Sequence, residues 1–260
     1  MESISGVHDL VIARYNESLD WVLQVPDTYR VHIYNKGDAT VSPEVRERAE
    51  TFTALRNAGR ESDTYLTHML EYGPGTGEFT VFSQGDPCEH SPDFLALLAT
   101  PDRWSDVQTL TWWWKAESHI PPPILLTPER SILQGLRARE ELFALNTFQA
   151  LEWVDIAAES IGREYRLLHR LPEGVNIAAH FLEMCELPEI ADQAAQHVVG
   201  RYGIGAIFGV RTHLIEKLPT RAMVRLRQAA MGPAPHGFFC EKLWLHIFGE
   251  PFMMPLAPSM

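Results

Sequence analysis

Three short polar segments, Arg14-Tyr15-Asn16-Glu17, Asn35-Lys36-Gly37-Asp38 and Gln84-Gly85-Asp86, each follow a run of apolar and β-branched residues. Guanidinium, ammonium and carboxylate groups placed in this way suit a phosphorylated ligand. Arg14 and Arg60 can neutralise a diphosphate, Asp38 can accept hydrogen bonds from a base or ribose, and Asp86 can hold a divalent cation that bridges phosphate oxygens. Taken singly, each of these residues is more often a surface ion pair or a turn former. Their recurrence after three successive runs favours a site.

The elements that must position these groups are short strands alternating with helices, the pattern of a mostly parallel sheet with crossover connections. Residues 8–13, 29–34 and 78–83 read as strands, and the continuous apolar run of the first predicts burial on both faces. In such sheets ligands bind beyond the carboxyl ends of the strands, where loops and helix N-termini offer unpaired N–H groups. Helical patterns are expected at 43–54, after a cap at Ser62 or Asp63, through most of 128–158, at 190–200, as a basic amphipathic helix at 219–230, and at 240–248. Further strands are expected at 110–115 and 204–210, with Pro121-Pro122-Pro123 forming an extended linker between the first of these and the helical middle. No repeat or low-complexity tract divides the chain. The fold class expected is α/β, one domain over residues 1–260 with a mostly parallel central sheet flanked by helices.

Composition narrows the functions. Acidic residues outnumber basic ones by 34 to 22, which repels polyanions and confines any phosphate site to a local cluster. Three widely spaced cysteines, Cys88, Cys185 and Cys240, fit neither a disulfide framework nor a zinc knuckle, so a reducing cytoplasm is expected. Neither a signal peptide nor a membrane span is expected. The histidines form no His-Glu-x-x-His pair, and neither a Gly-x-Ser-x-Gly elbow nor a phosphate-binding Gly-x-x-x-x-Gly-Lys loop occurs. Trp112-Trp113-Trp114 offers rings for stacking on a sugar or base, although alternation along a strand sends at least one of them into the core.

The segment Val11-Ile12-Ala13-Arg14-Tyr15-Asn16-Glu17 resembles the opening strand and loop of GT-A glycosyltransferases of the large family 2 type, which runs into Pro-x-Tyr-Asn-Glu; Ala13 stands where the proline would be. Asn57-Ala58-Gly59 is similar to their Asn-x-Gly segment before a helix, and Gln84-Gly85-Asp86 to their metal-binding Asp-x-Asp. The resemblance implies a GT-A architecture and transfer of a sugar from a nucleotide-sugar donor, expected to be UDP-linked, to a hydroxyl acceptor. Arg14, Tyr15, Asn16, Asp38, Arg60 and Gln84 would hold the donor, and Asp86 would hold Mn²⁺ or Mg²⁺. Gln84 departs from the first acid of the motif and is a poorer ligand than a carboxylate. Either Asp86 therefore binds a cation with help from Glu89 or His90, or Arg14, Lys36 and Arg60 carry the diphosphate without one. Glu241, after a Gly-rich turn and before Lys242-Leu243-Trp244, is similar to the segment whose helix N-terminus bears the catalytic carboxylate, and is also simply an acid suited to a helix start.

The same strings also resemble an uncharacterised domain family of fungi, bacteria and viruses that carries Ala-Arg-Tyr-Asn-Glu, Gly-Arg-Glu-Ser-x-Thr-Tyr-Leu, Gln-Gly-Asp and a late Glu-x-Leu-Trp, here at 13–17, 59–66, 84–86 and 241–244. Two rivals follow. One is a non-catalytic glycan- or nucleotide-binding domain, favoured by Gln84. The other is transfer to a hydroxymethylated base in viral DNA, which the net charge disfavours unless Arg201, Arg211, Arg221, Arg225 and Arg227 gather into one patch.

Overall fold

Parallel strands buried on both faces need apolar side chains pointing both ways, and β1 (His8–Arg14) supplies them: Leu10 and Ile12 enter one core, Val11 the other. The computed structural model describes residues 7–112 and 132–256. Along the chain β1 is followed by β2 (Tyr29–Asn35), α1 (Pro43–Arg48), β3 (Thr51–Ala54), α2 (Arg60–Glu71), β4 (Phe79–Gln84), α3 (Phe94–Leu98) and β5 (Val107–Thr109). Then come β6 (Glu141–Ala144), α4 (Ile156–His169), α5 (Ile177–Met184), α6 (Pro188–Ala195) and β7 (His197–Tyr202). The chain continues through β8 (Phe208–Arg211), α7 (Thr212–Lys217), α8 (Thr220–Ala230), α9 (Ala234–Ile247) and β9 (Met253–Pro255).

The main sheet has the order β3-β2-β1-β4-β8-β5. β3, β2, β1 and β4 are parallel, while β8 runs antiparallel to both β4 and β5. The expected α/β class with a mostly parallel sheet flanked by helices is thus what the chain forms. The chain winds from β1 out to β3 on one side and returns to β4 on the other. That reversal opens a crevice beyond the carboxyl ends of β1 and β4. Register aligns those ends: Arg14 faces Asn35, and Ala13 faces both Tyr34 and Gln84.

A second sheet, β6-β7-β9, is antiparallel throughout. Helix α9 lies against β7, α8, α4 and α2 and is buried along nearly its whole length, so its apolar residues face all sides rather than one, and His236, Lys242 and His246 are buried with them.

Several expected elements differ. The stretch 43–54 is a short helix and then edge strand β3, because Thr51, Phe52 and Thr53 pair with β2. Between 132 and 155 there is loop and β6, and helix begins only at Ile156, capped by Asp155. The stretch 190–200 ends as helix at Ala195 and continues as β7, where Val198 and Val199 suit an extended chain. Residues 204–206 form a 3₁₀ turn before β8, with Gly205 at φ 70° and Ala206 at φ 53°. Residues 110–112 form no strand, and Trp112 is in the core; Trp113, Trp114 and the proline run lie outside the described residues. Helix α2 starts at Arg60 rather than after Ser62 or Asp63, because Lys36 from another loop holds its entry.

Candidate active site

A cleft of about 270 Å³ lies beyond the carboxyl ends of β1, β2 and β4. Arg14 lines it from the last residue of β1, Tyr15 and Glu17 from the loop after it, Lys36 from the loop after β2, Arg60 and Glu61 from α2, and Gln84 from the last residue of β4. Larger clefts lie elsewhere, among them two of about 520 and 410 Å³ against α4 and β7. Their cations are engaged locally: Arg163 pairs with Glu159, and Arg166 donates to the carbonyls of Asn146, Pro172 and Val175.

Two of the three cations in the cleft wall brace the loops. Arg14 is buried and donates through Nε to the Glu17 carbonyl and through Nη1 to Asn35 Oδ1 and the Ala39 carbonyl, tying the first two loops together. Lys36 Nζ donates to the carbonyls of Ala58 and Arg60 and to Asp63 Oδ2 at 3.1 Å. This is why α2 begins at Arg60: a cation from another loop organises its entry, and Gly59 at φ 64° supplies the left-handed N-cap. Burial lowers the Lys36 pKa, against the pull of Asp63. Arg60, by contrast, turns an exposed side chain to the cleft, its Nε 3.7 Å from Glu61 Oε2.

Glu241 is the eighth residue of α9, in mid-helix and not at the helix start that the sequence suggested. Its Oε1 accepts the backbone N–H of Gly205 at 3.0 Å, joining α9 to the turn before β8. Gly205 in turn packs on the β4 loop: a Cβ there would sit 2.7 Å from His90 Cδ2 and 3.2 Å from Gln84 Nε2. A glycine is required on two counts, space and φ.

The sequence reading passed over Glu61. It is the second residue of α2, only 8% exposed, and it lines the cleft with Oε1 lacking any hydrogen-bond partner. Burial first, and the neighbouring Glu241 carboxylate second, raise its pKa to about 7. Tyr65, one helical turn on, donates its hydroxyl to the Ala206 carbonyl at 3.1 Å, and burial beside both carboxyl groups holds its pKa well above the usual phenol range. An acidic residue directly after Gly-Arg, at a helix entry beside the strand edge, is the sequence signal for Glu61.

The remaining residues read from sequence divide. Tyr15 stands half exposed at the cleft, while Asn16 uses Oδ1 to accept the Ala39 N–H and faces an adjoining cleft lined also by Ser18 and Thr40. Asp38 is exposed and lines neither cleft. Asp86 is exposed too, outside the cleft wall, and caps the short 3₁₀ turn at 87–89 by accepting the Cys88 N–H at 3.1 Å. Among the described residues no group of three or more His, Cys, Asp or Glu side chains converges to hold a metal ion. Asp86 placed in this way does not fit a resident Mn²⁺ or Mg²⁺.

The five C-terminal arginines do not form a free basic patch. Arg201 pairs with Glu140, Arg211 with Glu78 and Asp106, Arg221 and Arg225 with Glu186, and Arg227 with Asp63. No helix among the described residues is long and apolar enough to cross a membrane. Compared with known proteins, the chain matches no family model, and no curated protein matches it.

Proposed function

We propose that this protein is a glycosyltransferase of GT-A type that moves a sugar from a nucleotide-sugar donor, UDP-linked, to a hydroxyl acceptor. The observation that carries the reading is the cleft beyond the carboxyl ends of β1 and β4, lined by Arg60, Glu61 and Gln84, with Glu241 held on the N–H of Gly205, which packs on Gln84. In this reading the diphosphate lies against the N-terminus of α2 and the Arg60 guanidinium, where the helix dipole and a cation both favour negative charge. Tyr15 offers a half-exposed ring to the base, Gln84 an amide to the sugar hydroxyls, and Arg14 and Lys36 hold the loops in place.

The chemistry balances without a metal ligand from Asp86. The acceptor oxygen attacks the anomeric carbon, the bond from that carbon to the diphosphate oxygen breaks, and its electron pair leaves with the nucleoside diphosphate. Glu241 takes the hydroxyl proton. A positioned carboxylate contributes about 10²–10⁴ in rate by this route.

One observation favours a second reading, a non-catalytic nucleotide- or glycan-binding domain: Arg14 is spent on protein acceptors and Asp86 on a turn, so the cleft has fewer free ligand-binding groups than the loops suggested. A thermal-shift screen of UDP-, GDP-, ADP- and CMP-linked sugars tests both, since a ligand at 100 times its Kd stabilises by about 2.7 kcal/mol. A shift together with released nucleoside diphosphate in the presence of hydroxyl acceptors supports transfer. A shift with no turnover supports the binding domain, and no shift with any donor rejects both.

A further inference from the structure

Three histidines and a tyrosine meet where the end of α4, the first turn of α5 and the start of α9 come together, and none of them lines the cleft described above. His169 is the last residue of α4, His180 the fourth of α5 and His236 the third of α9. The ring of Tyr165, one turn before His169, lies 4.4 Å from that of His169, 5.7 Å from that of His180 and 5.6 Å from that of His236.

The Nε2 atoms of His169 and His236, 67 positions apart in sequence, face each other at 2.9 Å. Two neutral imidazoles hold that distance only with a proton between them, one nitrogen donating and the other accepting. Among the described residues none of the three histidines pairs with a carboxylate. Burial, aided by mutual repulsion at His180 and His236, keeps all three below the ordinary histidine pKa, His236 at about 4. At neutral pH they are uncharged, the form in which imidazole is a ligand. The Tyr165 hydroxyl, kept un-ionised by burial, lies 2.7 Å from His180 Nδ1. With the phenol as donor there, the His180 proton is on Nε2, and this ring has no free lone pair to offer.

We propose that His169 and His236 form a binding site for a divalent transition cation of the class that imidazole prefers, Zn²⁺ or Cu²⁺, which replaces the shared proton and clamps the end of α4 to the start of α9. Metal–nitrogen bonds of about 2.0–2.1 Å put two adjacent ligand nitrogens roughly 2.9–3.4 Å apart for angles of about 90–109°. The separation found lies at the short end of that range. The ring centroids are 5.2 Å apart, so the rings point almost straight at each other, and the cation enters beside the nitrogen–nitrogen line once His169 tilts. His169 has that freedom: it is only partly buried and ends its helix, with Arg170 leaving in left-handed backbone at φ 54°. The imidazole that donated moves its proton from Nε2 to Nδ1, no net proton is released, and water completes the shell. Two protein ligands make an exchangeable site rather than a closed structural one. The clamp also bears on the cleft, because Gly237, next to His236, packs on the stem of Arg60: a Cβ there would lie 3.6 Å from Arg60 Cδ.

Calorimetry of the untagged full chain with ZnCl₂ at neutral pH tests the site. The wild type should bind Zn²⁺ saturably and gain thermal stability with it, as a ligand of the native state must. His169→Ala, at a partly buried helix end, should fold, lose that stabilisation and bind at least about tenfold more weakly, the loss that removing even an outer partner of a metal ligand produces. His180→Ala should bind as the wild type does. Electron paramagnetic resonance with Cu²⁺ supplies a second readout: coupling to two imidazole nitrogens in the wild type and to one in His169→Ala. No saturable Zn²⁺ binding by the wild type, or equal affinity in His169→Ala, overturns the site. A loss in His180→Ala as large as that in His169→Ala overturns the assignment of these two ligands. None of these readouts depends on what the cleft binds.

Discussion

Glu241 Oε1 and the Gly205 N–H meet at 3.0 Å across 36 positions of sequence, and this bond fastens the buried helix α9 to the turn that enters β8. The contact fixes one carboxylate oxygen and leaves the other without a bond to Gly205. Gly205 in turn packs on Gln84 of the cleft wall, so this bond ties α9 to the edge of the candidate site.

If Glu241 is the base, Glu241→Gln keeps the shape of the side chain and its oxygen acceptor for Gly205 while removing the basic site. Turnover should fall by about 10²–10⁴ with donor affinity unchanged. Steady-state kinetics together with calorimetry on the same preparation decide this, and wild-type turnover in the variant would exclude the role.

Arg14 and Arg60 should separate in their effects. Arg14→Ala removes a buried side chain and leaves three partly buried acceptors without their donor, and should lower unfolding stability by about 1–3 kcal/mol, seen as a reduced urea midpoint. Arg60→Ala removes an exposed side chain and should change stability by less than about 0.5 kcal/mol, yet weaken diphosphate binding by about 1.5–3 kcal/mol. Equal effects of the two variants on donor affinity at unchanged stability would contradict this division.

Gly205→Ala should be destabilising by about 1–3 kcal/mol, since the new methyl meets His90 and Gln84 at a φ of 70°. Because the same residue donates to Glu241, activity should drop further than stability predicts. Thermal unfolding and turnover measured together test this; a variant as stable and active as wild type would show that the turn relaxes freely.

Acid should destabilise the protein well above the carboxylate range. Burial lowers the pKa of His68 to about 3 and those of His236 and His246 to about 4. His246 shows why: Nδ1–H donates to the Glu250 carbonyl and Nε2 accepts the Arg201 N–H, so protonation removes an acceptor inside the core. The unfolded chain binds these protons near 6.5, the folded chain only much lower, so stability is intact above pH 6.5 and declines as pH falls towards 4. Each such histidine should cost roughly 2 kcal/mol by about pH 4.5. Urea midpoints at about pH 7.5 and 4.5 check it, and equal midpoints would refute it.

Sequence by itself determined the local features here. Continuous apolar runs mark strands that are buried on both faces, and polar residues directly after them mark loops at the carboxyl edge, so β1, β2, β4 and the positions of Arg14, Tyr15, Lys36, Arg60 and Gln84 around one cleft were legible. Long-range pairing decided the rest. β3 and β7 form because neighbouring strands receive them, although their sequences adjoin helical patterns, and α9 is helical from Ala234 because it is enclosed on all sides. Charged groups were the least legible, because a side chain's role depends on which partner reaches it first. Arg14 and Lys36 went to carbonyls, Asp86 went to the N–H of Cys88, and the Glu61 pKa is raised first because folding buries the side chain and second because it brings the Glu241 carboxylate within its influence.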